Sequence, residues 1–227
     1  MADDLIARLR GLDCCDLSDA LDALGLTPSV TGLRALTAQT PIAGRAVTCK
    51  LEAGPAPAGV SRHLGTASVE AAGPSDVIIV EQRSGLDAAG WGGILSRAAQ
   101  KRGVAGTIVE GPARDIEEAI KIEYPIYARS GTARTARGRI HESSYQVPVT
   151  LGDATVNPGD YVAIDRSGCV VIAADRITDV LAMAETIRDK SDKMAEAVAA
   201  GHPVSKVMGG DYETMLENKG AGARSHG

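Results

Sequence analysis

Apolar residues recur at helical spacing near the start of the chain, over Leu5-Ile6-Ala7-Arg8-Leu9 and again from Asp16 to Leu24, where Gly25 supplies a stop signal. Pro41 to Leu51, carrying Val47 and Cys49, reads as a strand, and Gly54-Pro55-Ala56-Pro57 as a loop. His63 to Ala72 predicts a helix, after which Gly73-Pro74-Ser75-Asp76 turns the chain into Val77-Ile78-Ile79-Val80. A continuous apolar run of that kind, without polar alternation, predicts a strand covered on both faces. A helix from Gly93 to Arg102 and a strand from Val104 to Val109 follow. Strand, helix and strand at this spacing form a βαβ unit, with parallel strands and a right-handed crossover.

Beyond Tyr145 the pattern changes to short strands: Gln146 to Thr150, then Thr155-Val156, then a hairpin of Tyr161–Ile164 and Cys169–Ile172 around Asp165-Arg166-Ser167-Gly168. Asn157-Pro158-Gly159-Asp160 carries Pro and Gly where a type II turn places its two central residues. Ile177, Val180, Leu181, Ala184 and Ile187 form one apolar stripe on a helix ending near Gly201-Pro203, and a second short helix is expected around Tyr212, Met215 and Leu216. The fold class is therefore α/β with a mixed sheet and a C-terminal helical tail. Residues 1–175 form the expected α/β domain, and residues 176–227 a helical extension packed on it or on a neighbouring subunit.

Composition narrows the partners. The 227 residues include no Phe, one Trp, five Tyr and 26 Gly, with a formal charge of −5. Few rings for bases to stack on and no basic surplus argue against a nucleic-acid partner. No apolar stretch approaches the roughly 20 residues of a membrane span, and no secretory leader opens the chain, so a cytoplasmic location is expected. Cys14, Cys15, Cys49 and Cys169 lack metal-type spacing and read as reduced, buried thiols.

Several chemistries find no support. The four histidines lack zinc-ligand spacing, and neither a nucleophile elbow nor a Walker loop occurs. Gly90-Trp91-Gly92-Gly93 falls short of a dinucleotide fingerprint. Lys50, ending a buried strand, raises a Schiff-base aldolase, but Glu52 is its only nearby acid–base partner. The informative stretch is Gly111-Pro112-Ala113-Arg114-Asp115-Ile116-Glu117-Glu118, which leaves a buried strand at its carboxyl end, where open α/β sheets place ligands. By spacing alone Asp115-x-x-Glu118 is first a helix-capping pair. Arg114 does not fit that reading: a cation before a helix N-terminus opposes the dipole and needs another partner, such as a substrate carboxylate.

Gly93, twenty intervening residues, then Arg114-Asp115-x-x-Glu118 resembles the signature of the RraA-like family. Five further fragments resemble family landmarks in family order: Ser18-Asp19-Ala20-Leu21-Asp22, Gly44-Arg45-Ala46-Val47-Thr48, Gly73-Pro74-Ser75-Asp76-Val77, Arg102-Gly103-Val104-Ala105-Gly106 and Asn157-Pro158-Gly159-Asp160. The resemblance runs from Leu17 to Ala173. It implies a layered α-β-β-α sandwich, assembled as a homotrimer or homohexamer with sites at subunit interfaces. It also implies a class II pyruvate aldolase acting on a small 4-hydroxy-2-oxo acid, such as 4-hydroxy-4-methyl-2-oxoglutarate or 4-carboxy-4-hydroxy-2-oxoadipate.

On that resemblance Asp115 holds Mg²⁺ or Mn²⁺, partly through water, and with Gly93 in this chain Glu118 or a carboxylate from another subunit is the further ligand. Arg114 contacts the oxo acid. Backbone N–H groups around Gly92, Gly93, Ile94 and Leu95 cradle its carboxylate, and the metal stabilises the enolate left when the C3–C4 bond breaks. The same chemistry decarboxylates oxaloacetate. Some aldolases of the family carry an acidic residue where Gly93 stands, a departure that bears on the metal and the substrate. Two alternatives stay open: a non-catalytic RraA-like regulator binding a ribonuclease, and an inactive small-molecule-binding homologue. The segment Arg129, Arg134, Arg137, Arg139 and His141 reads as a solvated basic loop or as a site for a second carboxylate or a phosphate. Arg62 and His63 are similar candidates. Trp91, the one tryptophan, stands beside the proposed carboxylate loop.

Overall fold

The structure, a computed structural model, describes residues 2–26, 29–37, 40–59 and 62–209. Two helices open the chain, α1 (Ala2–Arg10) and α2 (Cys14–Ala23), the second capped by Asp13 accepting the Asp16 N–H at 2.8 Å. A two-residue strand β1 (Arg34–Ala35) and the long β2 (Ile42–Ala53) follow. Then come α3 (Thr66–Ala71), β3 (Asp76–Gln82), α4 (Gly93–Lys101), β4 (Gly106–Ala113), α5 (Ile116–Lys121) and β5 (Ile126–Gly131). The second half adds β6 (Ile140–Tyr145), β7 (Val149–Leu151), β8 (Ala154–Val156), β9 (Tyr161–Ile164), β10 (Cys169–Ile172), α6 (Ile177–Ala199) and α7 (Val204–Val207).

One mixed sheet runs in the order β1-β5-β4-β3-β2-β9-β10, with β6 pairing the far end of β2, and β7 and β8 form a separate hairpin. Strands β2 to β5 are mutually parallel neighbours, and β9, β10 and β6 join antiparallel. Side-chain alternation along this sheet builds two cores at once. Ile78 and Val80 face the layer of α3, α4 and α5, whereas Val77 and Ile79 face an inner core shared with Leu151, Val156, Val162 and Ile164. A third core joins α1, α2 and α6 to β9 and β10 through Leu9, Leu17, Leu21, Val170, Leu181 and Ile187. Helices therefore cover two β layers from both sides, the α-β-β-α arrangement expected. The stripe Ile177, Val180, Leu181, Ala184 and Ile187 is buried throughout, and α6 is further tied to α1 by a bidentate Arg8–Glu185 pair at 2.8 Å.

Some elements differ from the sequence pattern. Strand β4 continues past Val109 through Gly111 and Pro112 to Ala113, across an irregularity in its pairing with β5. Pro112, which has no N–H to donate, falls at that irregularity, and its carbonyl accepts the Gly90 N–H at 2.8 Å. The helix expected from His63 begins only at Thr66, after Gly65 at φ 77°. Gln146 does not open a strand: it sits at φ 52°, between β6 and β7. Cys15 is exposed, while Cys14, Cys49 and Cys169 are buried, and all four are free. The expected helix at Tyr212, Met215 and Leu216 lies outside the described residues.

Candidate functional site

Two stretches separated in sequence are sewn together at the carboxyl end of the sheet. Trp91 forms a parallel bridge with Ala113, and the Arg114 N–H donates to the Trp91 carbonyl at 3.0 Å. Trp91 is 1% exposed and packs in the core beside Leu95, with its indole N–H donated to Ser96 Oγ at 2.9 Å. The Ser96 hydroxyl stands 3.1 Å from the Gly92 carbonyl, so the start of α4 is fixed from inside. These contacts put the N-terminus of α4 against the Arg114–Asp115 corner.

Asp115 adopts the left-handed conformation, φ 57° and ψ 38°, and makes no capping bond to α5. The capping pair read from Asp115-x-x-Glu118 is therefore not formed. The left-handed turn, which Asp tolerates better than most residues, aims the carboxylate away from its own helix. Asp115 Oδ2 instead accepts the Gly93 N–H at 2.9 Å and lies 3.3 Å from Arg114 Nε. Both side chains remain partly open to solvent.

The glycines of this corner lie close against its acidic side chains. A Cβ on Gly92 would stand 3.0 Å from Asp115 Oδ2, and one on Gly93 would overlap the Glu118 carboxylate. Glu118 thus fills the volume that a side chain at position 93 needs, and it is held there by an ion pair with Arg97. In the first turn of α4 the N–H groups of Ile94 and Leu95 have no hydrogen-bond partner among the described residues. Ile94 and Leu95 line, with Arg114, Asp115, His63, Thr66 and Arg137, a cavity of about 360 Å³. Gly92, Gly93, Ile94, Leu95, Arg114 and Asp115 all line this one cavity. Glu118 is in contact range of Gly93 but is not part of the lining.

Among the described residues no three Asp, Glu, His or Cys side chains gather as a ready-made metal cage. Asp115 Oδ1, however, takes no hydrogen bond among the described residues. One carboxylate with water in the remaining positions is a donor set that Mg²⁺ or Mn²⁺ accepts. The residues fit a hard cation held mainly by Asp115. Glu118 already holds an ion pair with Arg97 through Oε1, with Oε2 toward Gly93.

The basic segment does not act as a unit. Arg129 lies on β5 and forms a bidentate pair with Glu110 at 2.9 and 3.0 Å. Arg134 pairs with Asp87 at 3.3 Å, Arg139 donates to the Thr135 carbonyl, and His141 contacts the Gly54 carbonyl. Arg137 alone of the five lines the Asp115 cavity. Lys50 lies 3.5 Å from Glu81 in an ion pair, so its ammonium is engaged. Two structural supports escaped the sequence. Gln82 is buried and donates to the carbonyls of Leu86 and Ala88, fixing the loop that leads to Trp91. Glu142, on β6, accepts the Gly65 N–H at 2.7 Å and Arg62 at 2.9 Å, anchoring the segment that carries His63. Glu142 also lies 3.7 Å from Cys49 Sγ, and burial pushes the Cys49 thiol well above its ordinary range, leaving it protonated.

A family model described as RraA-like (Aldolase/RraA) matches residues 14–171. The chain belongs to the RraA-like family. It is 28% identical over 196 residues to a protein of Halalkalibacterium halodurans that bears the provisional name 4-hydroxy-4-methyl-2-oxoglutarate aldolase, covering 86% of this chain and 89% of the relative. Protein DlpA of Legionella pneumophila is 26% identical over 198 residues, which cover 87% of this chain but 32% of DlpA, so the chain spans about a third of that relative. Among solved structures, an uncharacterized protein from Pseudomonas syringae pv. tomato superposes with a TM-score of 0.82 at 28% identity, over 91% of this chain and 93% of the other. The α-β-β-α layering is thus the RraA-like fold. Among the described residues no helix is long and apolar enough to cross a membrane.

Proposed function

We propose that this RraA-like protein is a carbon–carbon lyase that cleaves a 4-hydroxy-2-oxo acid to pyruvate, with Mg²⁺ or Mn²⁺ as its cofactor. The observation that carries this reading is the Asp115 carboxylate, turned out of its own helix and set beside Arg114 and the start of α4. A buried-strand end with a guanidinium, a carboxylate and unpartnered N–H donors in one cavity suits a small anionic oxo acid. The Halalkalibacterium halodurans relative, with its provisional aldolase name at 28% identity, supports the same class.

In this reading the N–H groups of Ile94 and Leu95 hold the substrate C1 carboxylate, helped by the positive end of α4. Arg114 orients the 2-oxo end by charge-assisted hydrogen bonding. When bound, the divalent cation supplies Lewis-acid stabilisation of charge at the 2-oxo group, worth several kcal/mol. The C4 hydroxyl gives its proton to a water molecule in the cavity, which can return it at C3, and becomes the carbonyl of the departing fragment. The C3–C4 electron pair stays with the three-carbon fragment, which takes a proton at C3 to give pyruvate. Loss of CO₂ from oxaloacetate follows the same electron flow. Gly93 keeps the N-terminus of α4 bare while Glu118 and Arg97 close its far side.

We further propose assembly as a homotrimer or homohexamer. Ile94, 78% exposed at the cavity mouth, and Ile120, 45% exposed on the neighbouring helix, support a subunit contact beside the site. The decisive experiment couples pyruvate release to lactate dehydrogenase across 4-hydroxy-2-oxo acids and oxaloacetate, with and without EDTA. Turnover that EDTA abolishes and Mg²⁺ restores is the expected result. Absence of turnover on every member of the series would overturn the enzyme assignment and leave the regulator and the inactive binding protein as the readings.

A further inference from the structure

Behind the Asp115 cavity lies a second one of about 320 Å³, and the two share a wall built from His63, Leu64, Ala136 and Arg137. Leu64 and Ala136 are buried and form its apolar base, while Arg137 and His63 are exposed at its rim. The second cavity adds Arg62, His141 and Glu142. Its single carboxylate is spoken for. Glu142, with a side chain 6% exposed, is satisfied by the Gly65 N–H and by Arg62.

The arginines of the same segment separate cleanly by partner. Arg129 is held bidentately by Glu110, Arg134 pairs with Asp87 at the surface, and Arg139 donates to the Thr135 carbonyl. The Arg137 guanidinium has no acidic or hydrogen-bonded partner among the described residues, yet its backbone is fixed: its N–H donates to Thr135 Oγ1 at 3.3 Å, and the Arg139 N–H donates to the Ala136 carbonyl at 2.8 Å. A guanidinium carried on a braced turn and lining the same cavity as Arg114 and Asp115 is available to a planar anion bound there. Arg114 already serves the reacting end, so a second anion would lie toward the second cavity.

We infer that Arg137 is a specificity-determining residue of this site: it binds a terminal carboxylate of the substrate, at the end remote from the 2-oxo group. The inference rests on the lyase reading for its catalytic consequence but not for its binding consequence. A chain with a terminal carboxylate gains a charged partner at Arg137, and one ending in a methyl group gains none. Loss of a charge-assisted hydrogen bond of this kind weakens binding by about 10- to 100-fold.

The test uses the full chain with Mg²⁺ and two variants, Arg137→Gln and Arg137→Lys. Steady-state kinetics compare a 4-hydroxy-2-oxo acid bearing a terminal carboxylate with one ending in a methyl group. Calorimetry, which requires no turnover, compares 2-oxoglutarate with pyruvate. Arg137→Gln should raise KM for the dicarboxylate about 10- to 100-fold, leave kcat within about twofold, and leave the monocarboxylate unchanged, with Arg137→Lys recovering part of the loss. The Kd of 2-oxoglutarate should shift by a similar factor while that of pyruvate stays constant. Equal effects on both ligand classes, or none on either, would overturn the inference. If no substrate turns over but calorimetry still separates the two ligands, the lyase reading falls and the role of Arg137 stands.

Discussion

The Asp115 carboxylate accepts the backbone N–H of Gly93 across 22 residues of sequence, at 2.9 Å. This bond makes the helix start and the strand end into one site, and it separates charge from structure in a testable way. Asp115→Asn retains tolerance of the left-handed backbone and an oxygen for the Gly93 N–H, but removes the negative charge. Residues that merely support a metal ligand cost about 10- to 100-fold when lost, so loss of the ligand itself should cost at least about 100-fold in Mg²⁺-dependent pyruvate release. Thermal unfolding of Asp115→Asn should stay near that of the parent. Full activity in the variant would remove Asp115 from the reaction.

Position 93 gives a second prediction. A methyl group there meets the Glu118 carboxylate, which is the movable end of a long side chain held by a partly exposed ion pair with Arg97. Such pairs contribute only about 0–1 kcal/mol, so Gly93→Ala should fold almost as stably as the parent while the displaced Glu118 disturbs the site. Combining Gly93→Ala with Glu118→Ala removes the overlap. If crowding by Glu118 is the cause, the double variant should be more active than the sum of the two single losses predicts. A double loss equal to that sum would show that position 93 acts independently of Glu118.

The Trp91 indole and Ser96 hydroxyl provide a third. Their 2.9 Å bond lies in the core, and Ser96→Ala leaves a buried indole N–H without its acceptor. The expected cost is about 1–3 kcal/mol, read as a lower urea midpoint at constant slope. Because the same hydroxyl contacts the Gly92 carbonyl, Trp91 emission on addition of oxalate should also change between parent and variant. Identical denaturation curves would mean that water replaces the hydroxyl.

Much of the scaffold was legible because local pattern and tertiary burial agree in it. Val77 to Val80 is apolar on both faces because both faces are covered, and the stripe from Ile177 to Ile187 matches the buried face of α6. Strand β6 was not legible. Its sequence Ile-His-Glu-Ser-Ser-Tyr is polar, and it becomes a strand only by pairing with the far end of β2, across a register shift between Lys50 and Leu51. Arg114 stood out as a charge without a local explanation, but the spacing of Asp115 and Glu118 suggested a cap that the structure does not form, with Asp115 at φ 57°. Glu142 carried no local signal, since its role depends on the Gly65 N–H at a sequence distance of 77 residues.

The last prediction concerns pH and lies far from the site, on α2. Burial, followed by the neighbouring charges of Asp13 and Asp19, pushes the Asp16 carboxyl from its ordinary value of 3.8 up to about 6. The folded state therefore holds this proton more tightly than the unfolded chain does. The resulting stabilisation is fully present below about pH 3.8 and is lost as pH rises through about 6. Asp16→Asn removes the titration. Its attraction to the positive start of α2 is lost as well, a term of about 0.3–1 kcal/mol that stays nearly constant once Asp16 is ionised. The difference in unfolding free energy, variant minus parent, should therefore move in the variant's favour between pH 4 and pH 7 and level off above. Urea denaturation at four or five pH values measures it directly. A difference that is flat over this range would show that Asp16 keeps an ordinary carboxyl in the folded protein, with Arg188 on α6 compensating for its acidic neighbours.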